Sequence, residues 1–375
     1  MIEHGRPPGK NGIQFLALFT LCTILIAAPL AAQRAKKPVV KGKTGKLLDR
    51  YLTALDLDIG GMCGSAFVAE GKKVYLDKGY GMADVSKKRK MPVNALWDWA
   101  SVTKQFTAAA ILKLEMQGKL SLDDSIRKFY RNAPGRMQPI TLRHMLNHTS
   151  GIDQSKRPTG VDFRKRKAML DWFLKRPVAA KPGTKWEYSN LAYFVLAALI
   201  EKKSGLSCEQ FCIKHLFRPA GMKDACFIGS PGLDLDRVPR EERGKGKHFA
   251  YGYDLSWGYR GSGGAIATPR EMWLWDRALR GTKILDRAAK AKLYEVGLKN
   301  YALGWYVKPG HGDTCWEHSG AVGKTVTYYL RTKRSRIVVA LAYSYRPDQH
   351  PKITADEMVN IVRKGQPSRW PGGGR

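Results

Sequence analysis

Ala100-Ser101-Val102-Thr103-Lys104-Gln105-Phe106-Thr107-Ala108-Ala109-Ala110-Ile111-Leu112 is the stretch from which the rest of the chain is read. Ser101 to Gln117 follows a helical pattern, and Ala108–Leu112 is apolar on every side, as in a helix enclosed by core. Ser101-Val102-Thr103-Lys104 is an S-x-x-K pattern. On a helix, positions i and i+3 share a face, so the Lys104 amine can reach the Ser101 hydroxyl. A serine hydroxyl is a weak nucleophile until a neighbour takes its proton. The start of a helix also offers unpaired backbone N–H groups where negative charge develops. The pattern alone is weak, since about two matches are expected by chance in a chain this rich in serine and lysine. A second one exists at Ser125-Ile126-Arg127-Lys128. There Tyr130 falls five positions from Ser125, well round a helix from it, and Leu120–Asp124 reads as a surface turn. Ser125 is set aside.

Two further motifs frame Ser101. Tyr188-Ser189-Asn190 opens another all-round apolar segment, Leu191–Ile200, after Lys181-Pro182-Gly183-Thr184. A tyrosine so far along the chain can form the opposite wall of a cleft, where a nearby ammonium would favour a phenolate able to act as general base. Asn190 offers an amide to a substrate carbonyl. His318-Ser319-Gly320 follows a strand at Asp313–Glu317; Gly320 permits close backbone approach, and the Ala321 N–H is a candidate second oxyanion donor.

Together these motifs resemble the β-lactamase-related serine hydrolases, the group of class C β-lactamases, DD-peptidases and esterases. Ala100–Thr107 carries the resemblance, with Gly118–Asp124, Leu142-Arg143-His144-Met145-Leu146-Asn147-His148-Thr149-Ser150-Gly151, and Pro182-Gly183 leading into Tyr188-Ser189-Asn190. Pro219–Asp224 and Gly261-Ser262-Gly263-Gly264 complete it, over about residues 45 to 345. The resemblance implies Ser101 as acylated nucleophile, Lys104 and Tyr188 as the proton-transfer pair, and Asn190 as a substrate-amide contact. His318 stands where class C β-lactamases have the lysine of K-T-G. That departure is similar to certain DD-peptidases and esterases and argues against β-lactam hydrolysis as the principal activity. An unperturbed imidazole there would change charge near pH 6.5.

The expected fold is α/β (α+β): an antiparallel sheet flanked by helices, with a mostly helical second lobe, β-lactamase/transpeptidase-like. Leu47, Leu48, Tyr51, Leu52 and Leu55 repeat at helical spacing, and a hairpin follows with strands at Gly64–Ala69 and Lys73–Tyr80. Strands return at Ala302–Val307, Asp313–His318, Thr325–Leu330 and Ile337–Tyr343, and a last helix opens on the capping box Thr354-x-x-Glu357. Strands at both ends with helices between imply one sheet built from both termini. The sheet lobe then takes residues 44–118 and 250–365, the helical lobe 119–249, and a tail 366–375.

Residues 1–32 read as an export signal or N-terminal membrane anchor: Arg6 and Lys10 precede the apolar run Ile13–Ala32, which is long enough to span a bilayer. A basic linker covers 33–43. The protein is therefore expected to be exported: periplasmic, secreted or held on the outer face of a membrane through residues 13–32. The net charge of +33 would attract anionic cell-envelope polymers. No zinc-finger spacing and no aromatic ribonucleoprotein motif accompanies it, so nucleic acid is not expected. The mature chain has an odd number of cysteines, Cys63, Cys208, Cys212, Cys226 and Cys315, which does not describe a disulfide framework. His144 and His148 stand i,i+4 but lack the intervening glutamate of a metalloprotease, so a structural role is expected and no metal or cofactor. The expected reaction is acyl transfer to Ser101 and hydrolysis of an amide or ester: a D-amino-acid peptide, a β-lactam or a small ester. The rival is a catalytically silent, wall-binding or scaffolding member of the same fold.

Overall fold

The computed structural model describes residues 36–59, 63–155, 162–240, 255–344 and 351–371. Residues 35–375 form one compact unit. The expected signal or anchor lies outside the described residues; among those described, no helix is long and apolar enough to cross a membrane.

A seven-stranded antiparallel sheet is assembled from both ends of the unit: β1 (Val39–Val40), β2 (Gly64–Glu70), β3 (Lys73–Tyr80), β4 (Tyr306–Gly310), β5 (Asp313–Val322), β6 (Thr325–Thr332) and β7 (Ile337–Ser344), in the order β1-β3-β2-β7-β6-β5-β4. Period-two patterning explains its two cores. In β7, Ile337, Val339, Leu341 and Tyr343 join one apolar cluster with Leu48, Leu52 and Leu55 of α1 (Gly42–Ile59) and Met358 and Ile361 of the last helix. The alternate residues Val338, Ala340 and Ala342 face the larger core, which holds α2 (Lys104–Met116), α3 (Asn190–Ser204) and α4 (Pro269–Arg280). Lys104–Leu112 of α2 and Leu191–Ile200 of α3 are enclosed on all sides, as their sequences imply. Ser189 caps α3 by accepting the Ala192 N–H at 3.1 Å, and Gly205 ends it in a left-handed conformation.

Several boundaries differ from the expected ones. Val39–Val40, expected as linker, pairs with β3 at the sheet edge. The strand expected over Ala302–Val307 begins only at Tyr306, and Ala302–Trp305 is a turn closed by Ala302 N–H donating to Trp305 O at 2.7 Å. The last helix, α5 (Pro351–Lys364), starts three residues before Thr354, so the expected capping box is interior; Glu357 instead accepts the Ser368 N–H of the tail. A small sheet of Trp97–Asp98, Cys226–Phe227 and Ala265–Ala267 went unforeseen because strands of two or three residues show no period.

Candidate active site

Ser101 sits in a single 3-10 turn, Ala100–Thr103, that leads into α2. Ala100 is held at φ 43, a left-handed conformation rare outside glycine, so the turn is strained. The neighbouring β5 must come close to it. A Cβ on Gly320 would lie 2.5 Å from Trp99 O and 2.5 Å from Thr327 Oγ1. Gly320→Ala is therefore expected to cost about 1–3 kcal/mol by overpacking, read as a lower urea midpoint at unchanged m, and to slow any chemistry at Ser101 by displacing the turn.

The start of α3 meets the start of α2 at one atom. Lys104 Nζ lies 3.1 Å from Ser101 Oγ, 2.7 Å from Asn190 Oδ1 and 3.0 Å from Ser262 O. Lys104 is fully buried, and loss of solvent drives its amine well below the ordinary lysine range. A neutral amine has two N–H groups and one lone pair. The two N–H groups donate to Asn190 Oδ1 and Ser262 O, which leaves the lone pair toward the Ser101 hydroxyl. That is the geometry of a base poised on a nucleophile.

Tyr188 stands across from this pair. Burial raises its phenol above the ordinary range, while a hydrogen bond with Ser101 pulls the other way. Lys104 Nζ sits 4.8 Å from the centre of its ring. Burial thus favours the phenol over the phenolate expected at Tyr188, and Lys104 is the group placed to take the Ser101 proton, with the Tyr188 hydroxyl able to relay it. His148, from the segment Leu142–Gly151, buttresses this wall: its ring lies 4.3 Å from that of Tyr188 and its Nδ1 accepts the Ser189 N–H at 3.1 Å. His144 instead takes the Thr141 N–H at 3.2 Å in a helix cap. Both histidines are used structurally.

β5 runs to Val322, so His318, Ser319, Gly320 and Ala321 lie within the strand and do not follow it. Val322 pairs with Thr325 across the two-residue turn Gly323-Lys324. Hydrogen-bonded and non-bonded pairs alternate from that closing pair, so Ala321, opposite Val326, turns its N–H away from β6. β4 covers β5 only as far as Glu317. The Ala321 N–H thus opens on the same cleft as Ser101, whose own N–H, at the start of the 3-10 turn, has no helical acceptor.

His318 is fully enclosed. Its Nδ1 lies 2.6 Å from Ser319 O, which only accepts, so Nδ1 carries the proton; Nε2 then accepts from Tyr301 O–H at 3.0 Å. Burial above all pushes the imidazole down to about 3. The expected titration near pH 6.5 is therefore corrected, because a ring locked as a neutral tautomer with both nitrogens engaged has neither a charge nor a spare N–H for a substrate. The cleft, about 610 Å³, is lined by Ser101, Tyr188, Tyr306, His318, Ala321 and Val326 among others, with no carboxylate, lysine or arginine among the described lining residues. Asn190 lies exposed beside it, its oxygen on Lys104.

Ser125 lies far from this arrangement in role: it caps a four-residue helix and donates to Gln138 O at 2.7 Å. Tyr301 and Tyr306 were missed in sequence, as was the Ser262 carbonyl. A backbone acceptor has no residue signature, and tyrosines in a turn look like any others.

A model of the β-lactamase family matches residues 48–363. The chain belongs to the β-lactamase family. It is similar to a putative penicillin-binding protein, PbpX, of Bacillus subtilis, with 31% identity over 73% of this chain and 72% of that protein. Protein flp of Staphylococcus aureus is 28% identical over 82% of this chain and 64% of its own length, so the chain spans less than two thirds of that relative. The octameric penicillin-binding protein homologue from Pyrococcus abyssi shares the fold, with a TM-score of 0.73 at 24% identity, covering 87% of this chain and 79% of that one.

Proposed function

We propose that this member of the β-lactamase family is a serine hydrolase that forms an acyl-enzyme on Ser101 and prefers an ester or amide with no carboxylate beside the scissile bond. One observation carries the reading: a buried Lys104 amine, driven well below the ordinary lysine range, held 3.1 Å from the Ser101 hydroxyl by acceptors on Asn190 and Ser262. Ser101 Oγ attacks the carbonyl carbon as its proton passes to Lys104 Nζ. The oxyanion accepts from the N–H groups of Ser101 and Ala321. Collapse breaks the bond to the leaving group, which takes the proton by way of the Tyr188 hydroxyl. Water then repeats the addition, releasing the acid and restoring Ser101. No metal or cofactor enters these steps.

The substrate preference follows from His318. A cation at that place would attract a substrate carboxylate; a neutral imidazole with both nitrogens engaged cannot. A panel of p-nitrophenyl esters, D-amino-acid amides, D-Ala-D-Ala peptides and β-lactams tests this. Neutral esters or amides are expected to give the highest kcat/KM. His318→Lys is expected to shift the ratio toward carboxylate-bearing β-lactams by about tenfold, the worth of one charge-assisted hydrogen bond. His318→Gln should leave the position of any acid limb between pH 5.5 and 7.5 unmoved. A limb that disappears in His318→Gln would return the imidazole to the ionising machinery.

The +33 charge supports the second reading, a silent wall-binding protein. Labelling by a fluorophosphonate or fluorescent penicillin separates the two, since only an active nucleophile is trapped. Export, attachment through residues 13–32 and contact with anionic envelope polymers belong to the same proposal. The relative named a putative penicillin-binding protein supports the acylating reading.

A further inference from the structure

Asp98 takes no part in the proton path, yet it is fully buried three residues before Ser101. Its Oδ1 accepts the Ala100 N–H at 2.8 Å and the Gly264 N–H at 3.2 Å, and its Oδ2 accepts the Tyr259 O–H at 2.9 Å. Both backbone donors belong to left-handed residues, Ala100 at φ 43 and Gly264 at φ 87. The Tyr259 carbonyl in turn accepts the N–H groups of Ser262 and Gly263 and the Ser262 O–H. Ser262 O is one of the two acceptors on Lys104 Nζ. One carboxylate thus ties the turn that presents the nucleophile to the loop that orients its base.

A buried carboxylate with no cation is expensive to keep ionised. No ion pair reaches Asp98 among the described residues. Of the elements packed on it, the 3-10 turn contributes a backbone amide, the Ala265–Ala267 strand no titratable group, and the loop before it the Tyr259 phenol. The Lys104 amine is engaged elsewhere. Burial outweighs the three donors and pushes the carboxyl up to about 6.

We propose that Asp98 is a positioning residue whose carboxylate clamps the Ser101 turn to the 259–264 loop, and that protonation weakens the clamp at Tyr259, making acylation at Ser101 sensitive to acid. This rests on the hydrolase reading of Ser101. The backbone amides of Ala100 and Gly264 can only donate, so an added proton must go to Oδ2. There the carboxyl becomes the donor to the Tyr259 oxygen, so the charge-assisted bond to Tyr259 is exchanged for a weaker neutral one, and the turn that holds Ser262 O on Lys104 loosens.

The full chain is followed by fluorophosphonate labelling from pH 5 to 8, by hydrogen exchange of 259–264 corrected for intrinsic rate, and by thermal unfolding. In the wild type, labelling is expected to fall below about pH 6 and exchange to be faster at pH 5 than at pH 7.5. Asp98→Asn, which can accept both amides but cannot ionise, should show neither dependence. Tyr259→Phe should slow labelling at pH 7.5 by about tenfold, the loss of one hydrogen bond. The sign for stability is fixed by a carboxyl raised on folding: relative to Asp98→Asn, the wild type loses stability as pH rises from about 4 through 6. An acid limb that survives in Asp98→Asn, or exchange with the same pH dependence in both proteins, overturns the proposal. If no protein is labelled at any pH, the hydrolase reading falls, and exchange and unfolding decide the clamp by themselves.

Discussion

Ser101→Ala is expected to abolish covalent labelling and to lower turnover on any accepted ester or amide by on the order of 10⁴-fold or more. The hydroxyl is the nucleophile, and no other group stands against the Lys104 lone pair. Folding should survive, because the change removes one small polar group from a cleft wall. The unfolding free energy is expected to shift by no more than about 1 kcal/mol, the scale of one hydrogen bond. Ser125→Ala is the matched control. Its hydroxyl caps a short surface helix, so labelling should be unchanged. Retained labelling in Ser101→Ala, with a silent Ser125→Ala, would place the chemistry on the wrong serine.

Lys104 and Tyr188 should behave as one unit. Lys104→Ala removes the base and is expected to cost on the order of 10³–10⁴-fold in kcat/KM; Tyr188→Phe removes the relay and should cost about 10²–10³-fold. Both act on the proton of Ser101, so the double variant should fall no more than about tenfold below Lys104→Ala. Losses that multiply would make Tyr188 a packing residue, as its contact with the His148 ring allows. Lys104→Arg is informative as well. A guanidinium stays charged and has no lone pair to offer, so it should fail as badly as alanine.

How far the site was legible follows from the range of the interactions involved. Ser101 and Lys104 could be paired because helical spacing puts them on one side of one turn, and the structure sets them 3.1 Å apart. Tyr188 and Asn190 were found through the sharp start of an apolar helix, a local signal. The strand ends were less legible. β5 continues through His318 to Val322 because β6 pairs with it there, and strand pairing is invisible in the paired segment's own composition. The capping box at Thr354 failed for the same reason: a helix can start earlier when its first turn is packed, whatever residues follow.

What the sequence determined by itself is whatever repeats over a few residues. It gave the two enclosed helices, the alternating strands from both ends, the S-x-x-K spacing, and with them the family. Protonation was decided only by the tertiary structure. The Lys104 amine is driven well below the ordinary lysine range because the folded core removes its water, and it is aimed at Ser101 by acceptors on Asn190 and Ser262, 86 and 158 positions away. His318 loses its ionisation in the physiological range for the same reason, enclosed beside Tyr301 and its own strand. Asp98 is a clamp only because Gly264 and Tyr259 return to it from 166 and 161 positions along the chain. Residue type sets which groups can titrate; the free energy of moving their charge out of water and onto particular partners exists only once the chain is folded.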